Sequence, residues 1–286
     1  MILVGGAAGK TGRAVVRALA ERGAAVRAWV HHPAQAEEPR EAGAREVVAG
    51  DMRDPARWAS AVRGTCAVYH ICPNLAPDEP AIGQMAIAAT RDGGVDRFVY
   101  HSVLHPQTEE MPHHWKKLRV EEQILESGLP FTILQPASYM QNVLAAWDVI
   151  TTEGIYRVPY GVDTRLGMVD LRDVAESAAI VLTEPGHEGA TYELAGPEAL
   201  TQLEVAAGLA QHLARPVQAE TIPLEVWERY ARAAGLGDYQ VETLLAMFRY
   251  YDRNGFWGSP RVLSWILGRS PTSFAAFLST RPPCWA

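Results

Sequence analysis

The chain has 286 residues, 48 % of them hydrophobic and 21 % charged, with a formal net charge of −7. At roughly 100 to 200 residues per domain, this length holds one large α/β domain, or one domain with a smaller lobe, around a real core. Disorder and small disulfide scaffolds are excluded, and a nucleic-acid surface is disfavoured because Asp96, Glu109, Glu121, Glu122 and Glu126 interrupt any basic run.

Residues 2 to 154 alternate short apolar runs with Ala-rich stretches, a pattern that predicts parallel strands joined by crossover helices. Strands are expected near 2–5, 25–30, 46–48, 67–72, 97–102 and 131–135. One helix should run from Thr11 to Arg22, burying Val15, Val16 and Leu19 and ending before Gly23. Another should run from Trp115 to Ser127 and stop at Gly128, with Pro130 preventing its continuation.

From Thr152 the texture changes. A stretch punctuated by Gly and Pro through Gly167 precedes a helix at 170–183, a strand at 191–194 and helices at 203–214, 224–234 and 241–251. This last third has no strand–helix period and holds Trp227, Tyr230, Tyr239, Phe248, Tyr250, Tyr251, Phe256, Trp257 and Trp265. A smaller, mainly helical lobe closing over the carboxyl edge of the sheet is expected, its aromatics mostly core and a minority facing a ligand.

The first strand leads directly into Gly6-x-x-Gly9-x-x-Gly12 and an amphipathic helix. Gly6 permits the tight turn, Gly9 lets the backbone approach a pyrophosphate, and Gly12 lets the helix pack closely on the strand. Phosphates would then sit at the positive end of the helix dipole, with Lys10, Thr11 and Arg13 beside them. The plainer alternative is a glycine turn that binds nothing. An ATP-hydrolysing phosphate loop is disfavoured, since Lys10-Thr11 follows Gly6 at the wrong spacing.

Roughly 20 residues beyond the loop, where an acid would bind the ribose of NAD, the sequence reads Val30-His31-His32-Pro33. The missing acid, with Lys10, Arg13 and His31 nearby, tilts the expectation toward NADP(H) over NAD(H), because a 2′-phosphate needs cations or donors. Asp51, after the third strand, is placed either to accept from an adenine amino group or to form a turn before Asp54-Pro55. Met52 and Cys72 are further candidates for cofactor contact.

Three cysteines occur. Cys66 and Cys72 on one strand would stand near 20 Å apart at about 3.3 Å per residue, beyond disulfide reach, so reduced cytoplasmic thiols are expected. No secretory signal fits before the glycine loop, and no run of about 18 apolar residues is present to span a bilayer.

Gly6-x-x-Gly9-x-x-Gly12, Gly50-Asp51-Met52-x-Asp54, Arg97-Phe98-Val99-Tyr100-His101-Ser102-Val103, Lys117-x-x-x-Glu121, and Leu129-Pro130-Phe131-Thr132-Ile133-Leu134-Gln135-Pro136-x-x-Tyr139-Met140-x-Asn142 occur in that order. Together they resemble the NmrA-like group of atypical short-chain dehydrogenases over residues 1 to 195, and the final lobe only loosely. The resemblance implies a Rossmann-type doubly wound parallel sheet that binds NADP(H), with a smaller, mainly helical C-terminal lobe for substrate. The expected division is 1–154, with 166–184 added to it, against 155–165 and 185–286. Turnover is not implied, since some members bind cofactor without reducing anything.

Ordinary short-chain dehydrogenases use Tyr-x-x-x-Lys to hold the ribose and protonate the carbonyl. Lys117 occupies the lysine position, but the residue four before it is His113. Lys117 is expected to bind the nicotinamide ribose and supply positive charge near a developing oxyanion; the plainer alternative pairs it with Glu121 one turn on. Ser102, at the end of the fifth strand, either donates to a substrate carbonyl or merely finishes the strand. His113 is a candidate replacement acid, though a polar residue at a helix terminus fits as well. Tyr139 and Asn142 should face the pocket, with Tyr139 as packing more than acid, and Pro136 should shape the nicotinamide side. No metal site is expected from His101, His105, His113 and His114, whose spacing diverges.

The expected activity is hydride transfer from NAD(P)H to a small quinone or conjugated carbonyl. The alternative is a non-catalytic NADP(H) sensor acting through a partner protein; a sugar-nucleotide or isomerase role is spoken against by the absent tyrosine. A small-molecule substrate is expected, with no nucleic acid and no membrane, and the reading is compatible with a homodimer.

Overall fold

The structure is a computed structural model describing residues 1–280. It forms two compact units. The first comprises residues 1–107, 113–136 and 171–193; the second comprises 108–112, 137–170 and the chain from 194 onward.

In chain order, β1 (Ile2–Val4), α1 (Lys10–Glu21), β2 (Val26–Val30), α2 (Glu37–Glu41), β3 (Glu46–Ala49) and α3 (Pro55–Ala61) build the first half of the first unit. Its second half holds β4 (Ala67–His70), α4 (Glu79–Asp92), β5 (Arg97–His101), α5 (Pro112–Glu126) and β6 (Phe131–Pro136). Four elements of the second unit follow: β7 (Ser138–Tyr139), α6 (Trp147–Glu153), β8 (Ile155–Val158) and β9 (Leu166–Val169). The chain then returns to the first unit for α7 (Leu171–Thr183) and β10 (Ala190–Leu194). It finishes with β11 (Ala199–Leu200), α8 (Gln202–Leu213), β12 (Gln218–Thr221), α9 (Leu224–Ala233), α10 (Asp238–Asn254), α11 (Arg261–Leu267) and α12 (Phe274–Ser279).

The seven-stranded sheet has the order β10-β6-β5-β4-β1-β2-β3, and every pair from β6 across to β3 is parallel. In register, Leu3 lies between Arg27 and Val68. The strands read as apolar runs because helices cover both faces; β1 and β4 are buried along their whole length. Trp29 and Trp58 meet edge to face at 4.4 Å within a core shared with Leu3, Val68 and Phe98. Strand order reverses between β1 and β4, which opens a crevice at their carboxyl ends where α/β sheets bind ligands.

The second unit is mainly helical, as expected, and also carries two small sheets. Its β11-β9-β7 and β12-β8 sheets arise from the Gly- and Pro-punctuated stretch and from strands of two to four residues. Ser138 pairs with Met168, which draws residues 137–154 into this unit, whereas the sequence reading put them in the first. Tyr156, Met168, Leu209, Phe274 and Phe277 form its main core, and Tyr251 stacks on Phe256 at 4.9 Å. Tyr230, Trp257 and Trp265 are instead exposed.

Cys66 is exposed and Cys72 buried, both as free thiols; Cys284 lies outside the described residues. Among the described residues, no helix is long and apolar enough to cross a membrane, and no His, Cys, Asp and Glu cluster could hold a metal.

Candidate active site

The glycine loop is pinned over the crevice by its own backbone. The Gly5 N–H donates to the Tyr69 carbonyl at 2.8 Å, and the Ala7 N–H donates to that of Trp29 at 3.0 Å. Gly6 has φ +63°, and a Cβ there would lie 3.2 Å from the Ile71 carbonyl oxygen. At Gly12 a Cβ would stand 2.3 Å from the Gly6 oxygen and 2.7 Å from the Ala7 Cα, so only glycine lets α1 approach the turn.

Gly9 is different. A Cβ there would meet a single protein atom, the Gly6 oxygen at 3.4 Å, an ordinary contact. The protein does not demand glycine at this exposed position; it leaves an open cradle that a Cβ would fill. Gly9 is also the N-cap of α1 and supplies no side-chain cap, so the helix's first N–H groups are not spent on one. An open backbone facing uncapped N–H groups and a positive dipole end suits the diphosphate of a dinucleotide.

Around this cradle the other candidates take varied places. His31 follows β2 and is exposed, whereas His32 is used locally, accepting from the Ala34 N–H at 3.2 Å. Arg13 pairs with Glu38 of α2 at 2.9 Å, an acid the sequence reading did not single out. Asp51 accepts from the Arg53 N–H at 3.0 Å, and Arg53 makes two bonds to Asp78 at 2.6 and 3.0 Å. Of the two expectations for Asp51, the turn is the one displayed. The Arg53 guanidinium holds the Asp78 carboxyl below the usual carboxylate range. Met52 is buried, with its Cε 3.0 Å from where a Gly5 Cβ would be. Cys72 is core, and burial pushes its thiol up, so it is no thiolate.

Beyond β4 a second cluster forms at the start of α4 and α5. The Lys117 ammonium donates to Glu79 at 2.7 Å and approaches the His101 carbonyl at 3.5 Å, with its Nζ 5.6 Å above the Tyr100 ring. The Tyr100 hydroxyl donates to the same Glu79 oxygen at 2.9 Å. Lys117 therefore makes its ion pair with Glu79, not with Glu121. Glu121 instead accepts from the Ser102 hydroxyl and from the Gln135 amide at 2.9 and 3.0 Å. Burial raises the Glu121 carboxyl above the usual range, against those bonds and the Lys117 charge.

Two expectations change here. Ser102 is buried and its proton is already given to Glu121, so it ties β5 to α5 instead of meeting a carbonyl. His113, in the first turn of α5, lies edge-on to His114 at 4.4 Å. Burial, then the Lys117 charge, lowers His113 to about 4, which leaves it neutral at physiological pH and unsuited to act as an imidazolium acid. Pro136 ends β6, and its carbonyl accepts from the Leu104 N–H at 2.9 Å. Tyr139 is half-buried in β7 of the second unit, and Asn142 donates to Ser138 at 3.3 Å. Glu79 carries no signal in the sequence beyond an acid beside a proline at a helix start.

The buried imidazoles carry a pH consequence. His70, packed between Trp58 and Tyr100, and His101, bonded to the Tyr69 hydroxyl at 2.6 Å, are both lowered to about 3, chiefly by burial. The unfolded chain binds protons at these sites below about pH 6.5, whereas the folded unit refuses them. Stability is thus full above that pH and falls as acid is added, each histidine contributing up to ~1.4 kcal/mol per pH unit. Urea unfolding should show a loss of at least ~2 kcal/mol between about pH 7 and 5. A flat profile would mean that the imidazoles are not held neutral.

Residues 1–276 match the NmrA-like family. The chain belongs to that family. This NmrA-like chain is similar to the NAD(P)H azoreductase of Xenophilus azovorans, with 31 % identity over 97 % of this chain and 96 % of that one. It is also similar to the (4-alkanoyl-5-oxo-2,5-dihydrofuran-3-yl)methyl phosphate reductase of Streptomyces griseus, with 36 % identity over 84 % of this chain and 82 % of the relative. Among solved structures, the NADPH-dependent quinone oxidoreductase of Escherichia coli, crystallised with NADPH, superposes with a TM-score of 0.85 at 27 % identity. That match covers 98 % of this NmrA-like chain and 99 % of the other.

Proposed function

We propose that this protein is an NAD(P)H-dependent reductase that passes hydride to a small quinone-like or conjugated-carbonyl acceptor. The open cradle at Gly9 before the uncapped α1 carries the reading; likeness to reductases over nearly the whole chain supports it. When bound, the nicotinamide supplies the hydride.

In this reading the backbone of Gly6, Gly9, Lys10, Thr11 and Gly12 holds the diphosphate. Arg13 and His31 take a 2′-phosphate, which favours NADP(H) over NAD(H). Lys117 binds the nicotinamide ribose and orients it. Ser102 and His113 take no proton-donor role, and Tyr139 is packing. Quinone reduction needs little acid help, which suits a cluster lacking the Tyr-x-x-x-Lys tyrosine. We place the activity in the cytoplasm, on a small molecule and not on nucleic acid.

The test is NADPH oxidation against a panel of quinones and enones, with calorimetry of all four nicotinamide forms. Turnover with NADPH is expected, with NADPH bound at least about ten-fold more tightly than NADH, as one charge-assisted contact of about 1.4 kcal/mol or more requires. Tight binding without oxidation of any acceptor would overturn the reductase reading.

A further inference from the structure

We infer that Glu79 is a positioning residue for Lys117, fixing the ammonium so that one of its N–H groups is left for a ligand. The inference rests on the proposed role of Lys117 as the ribose-binding cation.

A lysine on its own is a poor instrument of position. Its charge rides on a flexible four-carbon stem, and ordering that stem costs conformational entropy. Glu79 supplies the missing constraint. It is the first residue of α4, its side chain is 2 % exposed, and the Tyr100 hydroxyl fixes it at 2.9 Å. Lys117, itself 16 % exposed, donates to that fixed oxygen at 2.7 Å. The Tyr100 ring lies beneath the ammonium at 5.6 Å and closes one side.

An acid at the start of a helix usually serves the helix itself, by capping or by meeting the positive dipole end. Here α4 has no side-chain cap, and the Glu79 carboxylate is directed at Tyr100 and Lys117. An ammonium has three donors. One goes to Glu79, one faces the distant His101 carbonyl at 3.5 Å, and the third has neither as its target. The pair also cancels the lysine's charge, which suits an uncharged acceptor better than an anionic one.

A double-mutant cycle on the full chain tests this, using Glu79→Gln, Lys117→Met and the combination. The readouts are NADPH affinity by fluorescence titration, kcat and KM for a quinone, and urea unfolding of the cofactor-free variants. Glu79→Gln should weaken NADPH binding and lower kcat about ten-fold with little change in quinone KM. In the Lys117→Met background the same change should alter either quantity by no more than about two-fold. Glu79→Asp should recover part of the loss, and it replaces Glu79→Gln in the cycle should the latter fail to fold. If Lys117→Met alone leaves affinity and kcat at wild-type values, the reading of Lys117 falls. If Lys117→Met is costly but Glu79→Gln costs nothing, or costs the same in both backgrounds, Lys117 stands and the inference about Glu79 is overturned.

Discussion

Gly9→Ala is expected to weaken NADPH binding by more than about 100-fold while leaving the fold intact, and Gly12→Ala to damage both. The two glycines sit three residues apart, yet the space around them differs. A Cβ at Gly12 would collide with backbone, 2.3 Å from the Gly6 oxygen, and backbone cannot step aside as a side chain can. Overpacking of this kind costs about 1–3 kcal/mol or more, and at ~2–4 °C per kcal/mol the melting temperature should drop by about 5–10 °C.

At Gly9 the backbone is already in the extended region, at φ −76° and ψ 160°, where alanine is at ease. The sole neighbour of its Cβ would be in ordinary contact, so the melting temperature should move by no more than about 2 °C. Affinity should nevertheless fall by more than about 100-fold, the equivalent of two charge-assisted bonds to backbone N–H groups. Thermal unfolding paired with calorimetry separates the outcomes. Wild-type affinity in Gly9→Ala would show that the cradle holds no diphosphate.

Lys117→Ala should be the most costly change at the second cluster. Without the ammonium, the Glu79 carboxylate keeps only the Tyr100 hydroxyl in an environment that admits almost no water. Removing one partner of a buried pair costs about 3–5 kcal/mol, because the other charge is left uncompensated. Breaking a solvent-exposed pair one helical turn apart would instead cost only about 0.2–0.5 kcal/mol. Urea unfolding distinguishes values an order of magnitude apart, and a loss below about 1 kcal/mol would sink the buried-pair account. Turnover should also fall ten-fold or more, about 1.4 kcal/mol of transition-state stabilisation.

The nucleotide half was readable because its information is local. A strand, a turn and a helix follow one another within the first 21 residues, and the apolar spacing of Val15, Val16 and Leu19 declares which face is buried. Even there, boundaries moved: α5 begins at Pro112, which puts His113 inside the helix.

What sequence did not reveal depends on partners far along the chain. Glu79 and Lys117 lie 38 positions apart, and nothing in either segment names the other. The fate of the Ser102 proton was open because its acceptor, Glu121, lies on another element and is itself held by the Gln135 amide from a third. Strands as short as β7 and β11 carry too few residues to show a period, and exist only through pairing with β9. Asp51 offered two roles, and the turn it forms with Arg53 is visible only once the backbone is placed.

The first unit is assembled from three stretches and the second from three more, so the polypeptide passes from one to the other five times. Neither can be lifted out as a contiguous gene segment: a fragment ending at residue 136 would lack α7 and β10, baring the flank of β6 and the apolar side of α1. Truncation or transplantation of either unit therefore has to carry pieces from both halves of the chain.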